Sequence, residues 1–278
     1  MGTDLPARRA HPGAVTPGRL AWRLCYELLA AQVRRPEWRF MNYGLSPDAL
    51  DPPGPAVALD PRDEPDRLCI QLYAHTVHGV PLEGRDVLEV GCGRGGGTEY
   101  LARYGGPRST TGLDFSRSAV ALCRRHRRAP GLRFVWGDAQ AMPFPDASFD
   151  VVVNVESSHC YPSMELFLAE VRRVLRPGGT FAWADLRRAD AVPRVRRQLG
   201  AAGLTVVSEQ DITAGVARAL RLDDARKAAL VQAWIPRPFR RAIRPFAALE
   251  GTPNHTGLTG GDMRYLSARL VAAGPTNG

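Results

Sequence analysis

The stretch Glu89-Val90-Gly91-Cys92-Gly93-Arg94-Gly95-Gly96-Gly97 decides how this chain is read. It leaves an apolar run, Asp86-Val87-Leu88-Glu89-Val90, and enters sequence that suits a helix. Glycines at such a junction allow a tight turn. They also let a ligand press against backbone N–H groups at a helix start, where partial positive charge favours an anion. Glycines 91, 93 and 96 satisfy G-x-G-x-x-G, a weak signal alone. It suits a pyrophosphate cradle, the carboxylate end of an amino-acid-bearing nucleoside, or a turn that binds nothing.

Outward from this stretch, residues 85–185 alternate as a parallel sheet requires. Strands are predicted at Asp86–Val90, Thr110–Leu113, Leu132–Trp136, Phe149–Asn154 and Thr180–Ala184, with helices between. In the clearest helix, Met164, Phe167, Leu168, Val171, Val174 and Leu175 fall at spacings of three and four, and Arg176-Pro177-Gly178-Gly179 stops it. Before the sheet, a helix is expected over Gly18–Val33, a proline-rich segment over 34–65, and a helix over Glu64–Val77. After it, helices at about 189–201, 213–233 and 236–249 and strands at Leu204–Val207 and about Met263–Val271 are expected, with Asn254 and His255 in a loop. Successive βα steps mean a doubly wound α/β fold, with its ligand site at the carboxyl ends of the strands.

Three further features narrow the ligand. Asp114 ends the second strand, 18 residues after Gly96, where a carboxylate accepts hydrogen bonds from both ribose hydroxyls. Asp138, in Gly137-Asp138-Ala139-Gln140, follows the third strand and can accept from an adenine amino group. Val174-Leu175-Arg176-Pro177-Gly178-Gly179 precedes the fifth. With these landmarks in order, residues 85–185 resemble the class I S-adenosylmethionine-dependent methyltransferases. The resemblance implies a seven-stranded sheet of order 3-2-1-4-5-7-6 with the last strand antiparallel. It implies S-adenosyl-L-methionine as cofactor, with Gly91 and Gly93 at its methionine end and Glu89 in support. Asp114 then takes the ribose, Phe115 packs on adenine, and Asp138 with Ala139 reads its edge.

The flanks Met41-Asn42-Tyr43-Gly44, Cys69-Ile70-Gln71-Leu72-Tyr73 and Asn154-Val155-Glu156-Ser157-Ser158-His159-Cys160-Tyr161-Pro162 are similar to a bacterial small-molecule subgroup. That subgroup includes phthiotriolone dimycocerosate, fatty-acid, macrolide and sterol methyltransferases. The likeness implies a helical N-terminal cap over 1–80, with Tyr43 and Gln71 closing over the cofactor. A methyltransferase domain over 81–278 follows, with 212–260 as a helical insertion on the acceptor side. The implied acceptor is a bulky apolar natural product methylated on a hydroxyl. Carbon methylation aided by Glu156 or His159, and cyclisation that binds the cofactor without consuming it, are the alternatives. A hydroxyl acceptor benefits from a base, and His159, past the fourth strand, is the candidate. Asp185, ending the fifth, is placed to orient it. Arg94 is either a partner for the methionine carboxylate or an exposed loop residue.

Composition bounds the remainder. The 278 residues are 44% hydrophobic and 23% charged, which suits a globule with a real core. No apolar run approaches the roughly 18 residues of a membrane span, and Met1-Gly2-Thr3-Asp4-Leu5-Pro6 lacks the apolar stretch of a signal peptide, so export is not expected. Cysteines 25, 69, 92, 123 and 160 lack any Cys-x-x-Cys, so reduced thiols in a cytoplasm are expected. The net charge of +9 comes from 37 basic residues of which Lys227 is the single lysine. That ratio resembles codon pressure and weakens an inference to nucleic acid. Arg124-Arg125-His126-Arg127-Arg128 reads as a solvated helix end, and His75-Thr76-Val77-His78 lacks metal-ligand spacing. Neither a metal nor a nucleic-acid partner is expected; a homodimer stays open.

Overall fold

A computed structural model describes residues 26–27, 31–33, 35–54 and 57–274. The helix expected at Gly18–Val33 lies mostly outside the described residues. A 3-10 turn at Pro61–Asp66 leads into α1 (Arg67–Thr76). Then follow β1 (Asp86–Val90), α2 (Gly96–Tyr104), β2 (Ser109–Asp114), α3 (Arg117–His126), β3 (Leu132–Trp136) and β4 (Phe149–Val155). The chain continues through α4 (Met164–Val174), β5 (Leu175–Arg188), α5 (Val192–Gly200) and β6 (Leu204–Asp211). It closes with α6 (Thr213–Trp234), α7 (Arg237–Phe246), α8 (Pro253–Gly260) and β7 (Met263–Ala272).

The seven strands form one sheet of order β3-β2-β1-β4-β5-β7-β6. β1 pairs in parallel with β2 and β4, while β7 runs antiparallel between β5 and β6. Central strands are apolar on both faces because helices cover both: Val87, Leu88, Val90, Val152 and Val153 are fully enclosed. On α4 the predicted stripe is buried, and Ser163 caps it by accepting from the Leu166 N–H at 3.2 Å. Phe167 packs edge-on against Phe181, centroids 5.8 Å apart; fully burying such a side chain contributes about 1.5–3 kcal/mol.

Several elements depart from the sequence expectation. β5 is far longer than Thr180–Ala184, because antiparallel pairing with β7 carries it out to Arg188. Asn254 and His255 lie not in a loop but in the first turn of α8. Arg127 does not sit on a solvated face: it is buried, donating to the carbonyls of Arg94 (2.9 Å) and Pro36 (2.7 Å). Residues 40–82 contribute to the same apolar core as β1, β4, β5 and α6, through Phe40, Leu45, Ile70, Leu72 and Leu82. Among the described residues no helix is long and apolar enough to cross a membrane.

Candidate active site

At the carboxyl ends of the strands lies a cavity of about 500 Å³, the size of a small-molecule site. Its floor is the turn after β1. Gly91 has φ +75°, and a Cβ there would stand 2.3 Å from Ser157 Oγ and 2.7 Å from Tyr161 Oη. Replacing Gly91 with alanine is therefore expected to destabilise the fold by about 1–3 kcal/mol, read by denaturant unfolding. Beside it, a Cβ on Gly93 would meet Met41 Cε at 2.5 Å. These positions leave room only for backbone next to the cavity.

Asp114, at the tip of β2, is buried and lines the cavity. Its two oxygens accept from the Gly93 N–H and the Ser116 N–H, both at 2.9 Å, which fixes the carboxylate against the glycine turn. Phe115 lines the cavity with Tyr26 near it, ring centroids 5.3 Å apart. Asp138 and Ala139 line it after β3, and Asp138 Oδ1 accepts from the Gln140 N–H at 2.9 Å.

Glu89 is placed differently. It is wholly buried beneath the turn and does not line the cavity; the Tyr73 hydroxyl donates to it at 2.6 Å and the Thr98 hydroxyl donates to its other oxygen. Burial pushes its carboxyl up to about 7, partly offset by those two donors. Gln71 is also off the cavity, buried in α1, and so is not placed to close over it.

Arg94 matches neither expectation. It is buried, and donates to the carbonyls of Trp38 (2.7 Å), Val33 (2.8 Å) and Arg35 (2.8 Å). Burial lowers its pKa to about 10. Its work is to pin the N-terminal segment, whose residues Arg39–Tyr43 wall the cavity. That segment is further tied by Arg39 to Asp63 (2.5 Å) and Asp66 (2.7 Å). Tyr43 lines the cavity; its hydroxyl accepts from Asn254 Nδ2 at 2.8 Å, and its N–H donates to Glu156 at 2.9 Å.

The structure brings His159 and Asp185 together. The ring lies on the cavity wall, its side chain 34% exposed, and Nδ1 is 2.7 Å from Asp185 Oδ1. Asp185 is fully buried behind it, held by the Ser158 hydroxyl (2.6 Å), the His159 N–H (2.9 Å) and Arg187 (3.0 Å). Burial opposes the charge on both groups. Arg187 and the histidine nevertheless hold Asp185 well below the carboxylate range, and Asp185 lifts His159 well above its ordinary value. Since Nδ1 is committed to Asp185, Nε2 is the nitrogen that can take a proton.

Sequence reasoning gave Glu156 only a secondary part. It follows β4 with φ +50°, unusual for a side chain of its size, and lines the cavity. One oxygen accepts from the Tyr43 N–H and the Tyr265 hydroxyl, both at 2.9 Å. Burial raises its carboxyl to about 7. Tyr26, Met41, Ser157, Tyr161 and Phe246 also line the cavity. Met41, Ser157 and Tyr161 fall within the flanks that carry the resemblance, but nothing local gave them a place on the wall, because they arrive on irregular segments folded over the sheet.

A doubly wound sheet of this order, with a glycine turn and acids at the tips of β2 and β3, is the fold of the S-adenosylmethionine-dependent methyltransferases. The methyltransferase-domain family model matches residues 88–183. The chain is 41% identical over 256 residues to a phthiotriol/phenolphthiotriol dimycocerosates methyltransferase of Mycobacterium tuberculosis, covering 92% of this chain and 93% of that one. It is 43% identical over 232 residues to a fatty-acid O-methyltransferase of Mycolicibacterium smegmatis, covering 80% and 83%. Among solved structures, the [4+2]-cyclase SpnF superposes with a TM-score of 0.66 at 18% identity, covering 90% of this chain and 94% of that one. Geranyl diphosphate C-methyltransferase of Streptomyces coelicolor, solved with S-adenosyl-L-homocysteine, gives 0.59 at 15% identity, covering 89% and 98%. The last two are likenesses of fold alone. The chain belongs to the methyltransferase family of its mycobacterial relatives, and its cofactor is S-adenosyl-L-methionine.

Proposed function

We propose that this enzyme methylates a hydroxyl of a bulky, apolar, lipid- or polyketide-like natural product. The observation that carries the reading is the His159 ring on the cavity wall, with Nδ1 held by buried Asp185. Bound in the cavity, the cofactor supplies an electrophilic methyl group on a sulfonium. Gly91 and Gly93 would receive its methionine end, Asp114 its ribose, and Phe115, Asp138 and Ala139 its adenine. Glu89 acts from beneath, by holding the turn through Thr98 and Tyr73. Gln71 has no part in contact with the cofactor. His159 Nε2 accepts the hydroxyl proton as oxygen attacks, and Asp185 stabilises the imidazolium that results. Phe40, Met41, Tyr43 and Phe246 offer an apolar wall to the acceptor. The mycobacterial relatives, named for phthiotriols and fatty acids, favour a lipid-like one.

Carbon methylation is the second reading. It is favoured by Glu156, whose half-buried side chain lines the cavity where a developing cation would need an anion.

Incubation of the pure protein with methyl-labelled cofactor and lipid extracts, read by mass, decides between these. The expected product carries one added methyl on oxygen, formed with one equivalent of S-adenosylhomocysteine. A methyl on carbon would select the second reading, and an isomer of unchanged mass would exclude both.

A further inference from the structure

Asp185 is completely enclosed, so its charge must be answered inside the fold. Two groups able to carry positive charge reach it: His159 Nδ1 at 2.7 Å from Oδ1, and Arg187 Nη1 at 3.0 Å from Oδ2. Among the described residues no other ion pair reaches this carboxylate. Trp183, Asp185 and Arg187 alternate along β5 and so share one face of the strand. Pairing of β5 with β4 ends at Ala184, and β7 alone holds the overhang that carries Arg187. The guanidinium donates to Ser158 Oγ at 2.8 Å and to the Leu186 carbonyl at 2.7 Å, and lies 5.4 Å from the centre of the Trp183 ring. Ser158 completes the link, donating to Asp185 at 2.6 Å while accepting from Trp183 Nε1 at 2.9 Å. Unlike His159, Arg187 does not line the cavity.

We propose that Arg187 is a positioning residue for His159: it is the fixed counter-charge of Asp185, and so lets the imidazole stand uncharged and ready to take the acceptor's proton. A buried carboxylate needs one cation, and a guanidinium keeps its proton at any working pH. Paired with Arg187, Asp185 is neutralised whether or not the ring is protonated. Without that partner the imidazolium would be its only cation, and loss of the ring proton would strand an anion in the interior. The guanidinium also repels positive charge on the ring. The remaining groups around the pair do not replace it. Glu156 acts on the ring in the same direction as Asp185, but burial raises its carboxyl to about 7, so in acid it is a weak counter-charge. Cys160 adjoins the ring, and burial keeps the hydroxyls of Tyr43 and of Tyr265 on β7 protonated. Arg264, opposite Arg187 on β7, is drawn to Asp211 at 3.6 Å. This role rests on His159 as the proposed base, but its first readout needs no turnover.

The test follows the His159 imidazole by NMR against pH in the full chain, its signal identified by its loss in His159→Ala. Arg187→Gln removes the charge and keeps a donor, Arg187→Met removes both, and Arg187→Lys keeps the charge. The titration midpoint of His159 is expected to rise by about one pH unit in the two neutral variants and to stay within about 0.3 of the parent in Arg187→Lys. On the acid limb of kcat/KM the neutral variants should be about tenfold slower than the parent, with the gap closing in alkali. Their thermal shift on adding cofactor should persist. A residue that only braces the fold would lower the rate equally at every pH and leave the midpoint where it was. An unmoved or lowered midpoint in a folded neutral variant would overturn the proposal. So would loss of the cofactor thermal shift in both neutral variants, which would make Arg187 structural. A midpoint that rises while the acid limb of the rate stays put supports the counter-charge and removes His159 as the base.

Discussion

Exchange of His159 for alanine is expected to lower kcat for methyl transfer by about 10²–10⁴-fold, the usual value of a positioned base. Cofactor affinity, read by calorimetry, should stay within about twofold, because no assigned cofactor contact is removed. The pH profile identifies the role. A base must be unprotonated to act, and Asp185 holds the His159 pKa well above its ordinary value. The acid limb of kcat/KM should therefore lie on the alkaline side of about 6.5. Asp185→Asn removes the facing anion and should move that limb to lower pH while reducing the rate. The same pair has a stability counterpart of defined sign. A raised histidine stabilises the fold fully below its unfolded pKa of about 6.5 and loses that contribution as pH rises through the folded value. A histidine that only shapes the turn before Tyr161 would leave both rate and profile unmoved.

The His159–Asp185 pairing was legible in sequence for a geometrical reason. His159 lies just past the carboxyl end of β4, and Asp185 lies one residue beyond the last β5 position paired with β4; the pairing of Val155 with Ala184 brings the two level. The sheet was legible because βα alternation is local, as was the place of Asp114 at the tip of β2, a fixed distance from the glycine turn. What sequence left out is what arrives from far along the chain. Buried Arg94 satisfies carbonyls 56 to 61 residues away, and nothing in a Gly-rich turn distinguishes it from an exposed arginine. Helix α8, Pro-Asn-His-Thr-Gly-Leu-Thr-Gly, has weak intrinsic propensity and is held by packing against β7 and its neighbours. Gln71 matched a pattern for a lid, yet the face of α1 that carries it turns inward.

Asp114→Ala is expected to weaken cofactor binding by about 10²–10⁴-fold, since two charge-assisted hydrogen bonds to the ribose contribute roughly 1.5–3 kcal/mol each. The loss has a competing origin, because the same carboxylate accepts the Gly93 and Ser116 N–H groups and so shapes the glycine turn. The two origins separate in a cycle of protein against ligand. S-adenosylhomocysteine and an analogue lacking both ribose hydroxyls are titrated into parent and variant by calorimetry. If Asp114 grips the ribose, the parent discriminates strongly between the ligands and the variant scarcely at all. If it only braces the turn, the variant binds both more weakly yet keeps the parent's preference. That outcome would take the ribose away from Asp114 and pass it to another group on the cavity wall.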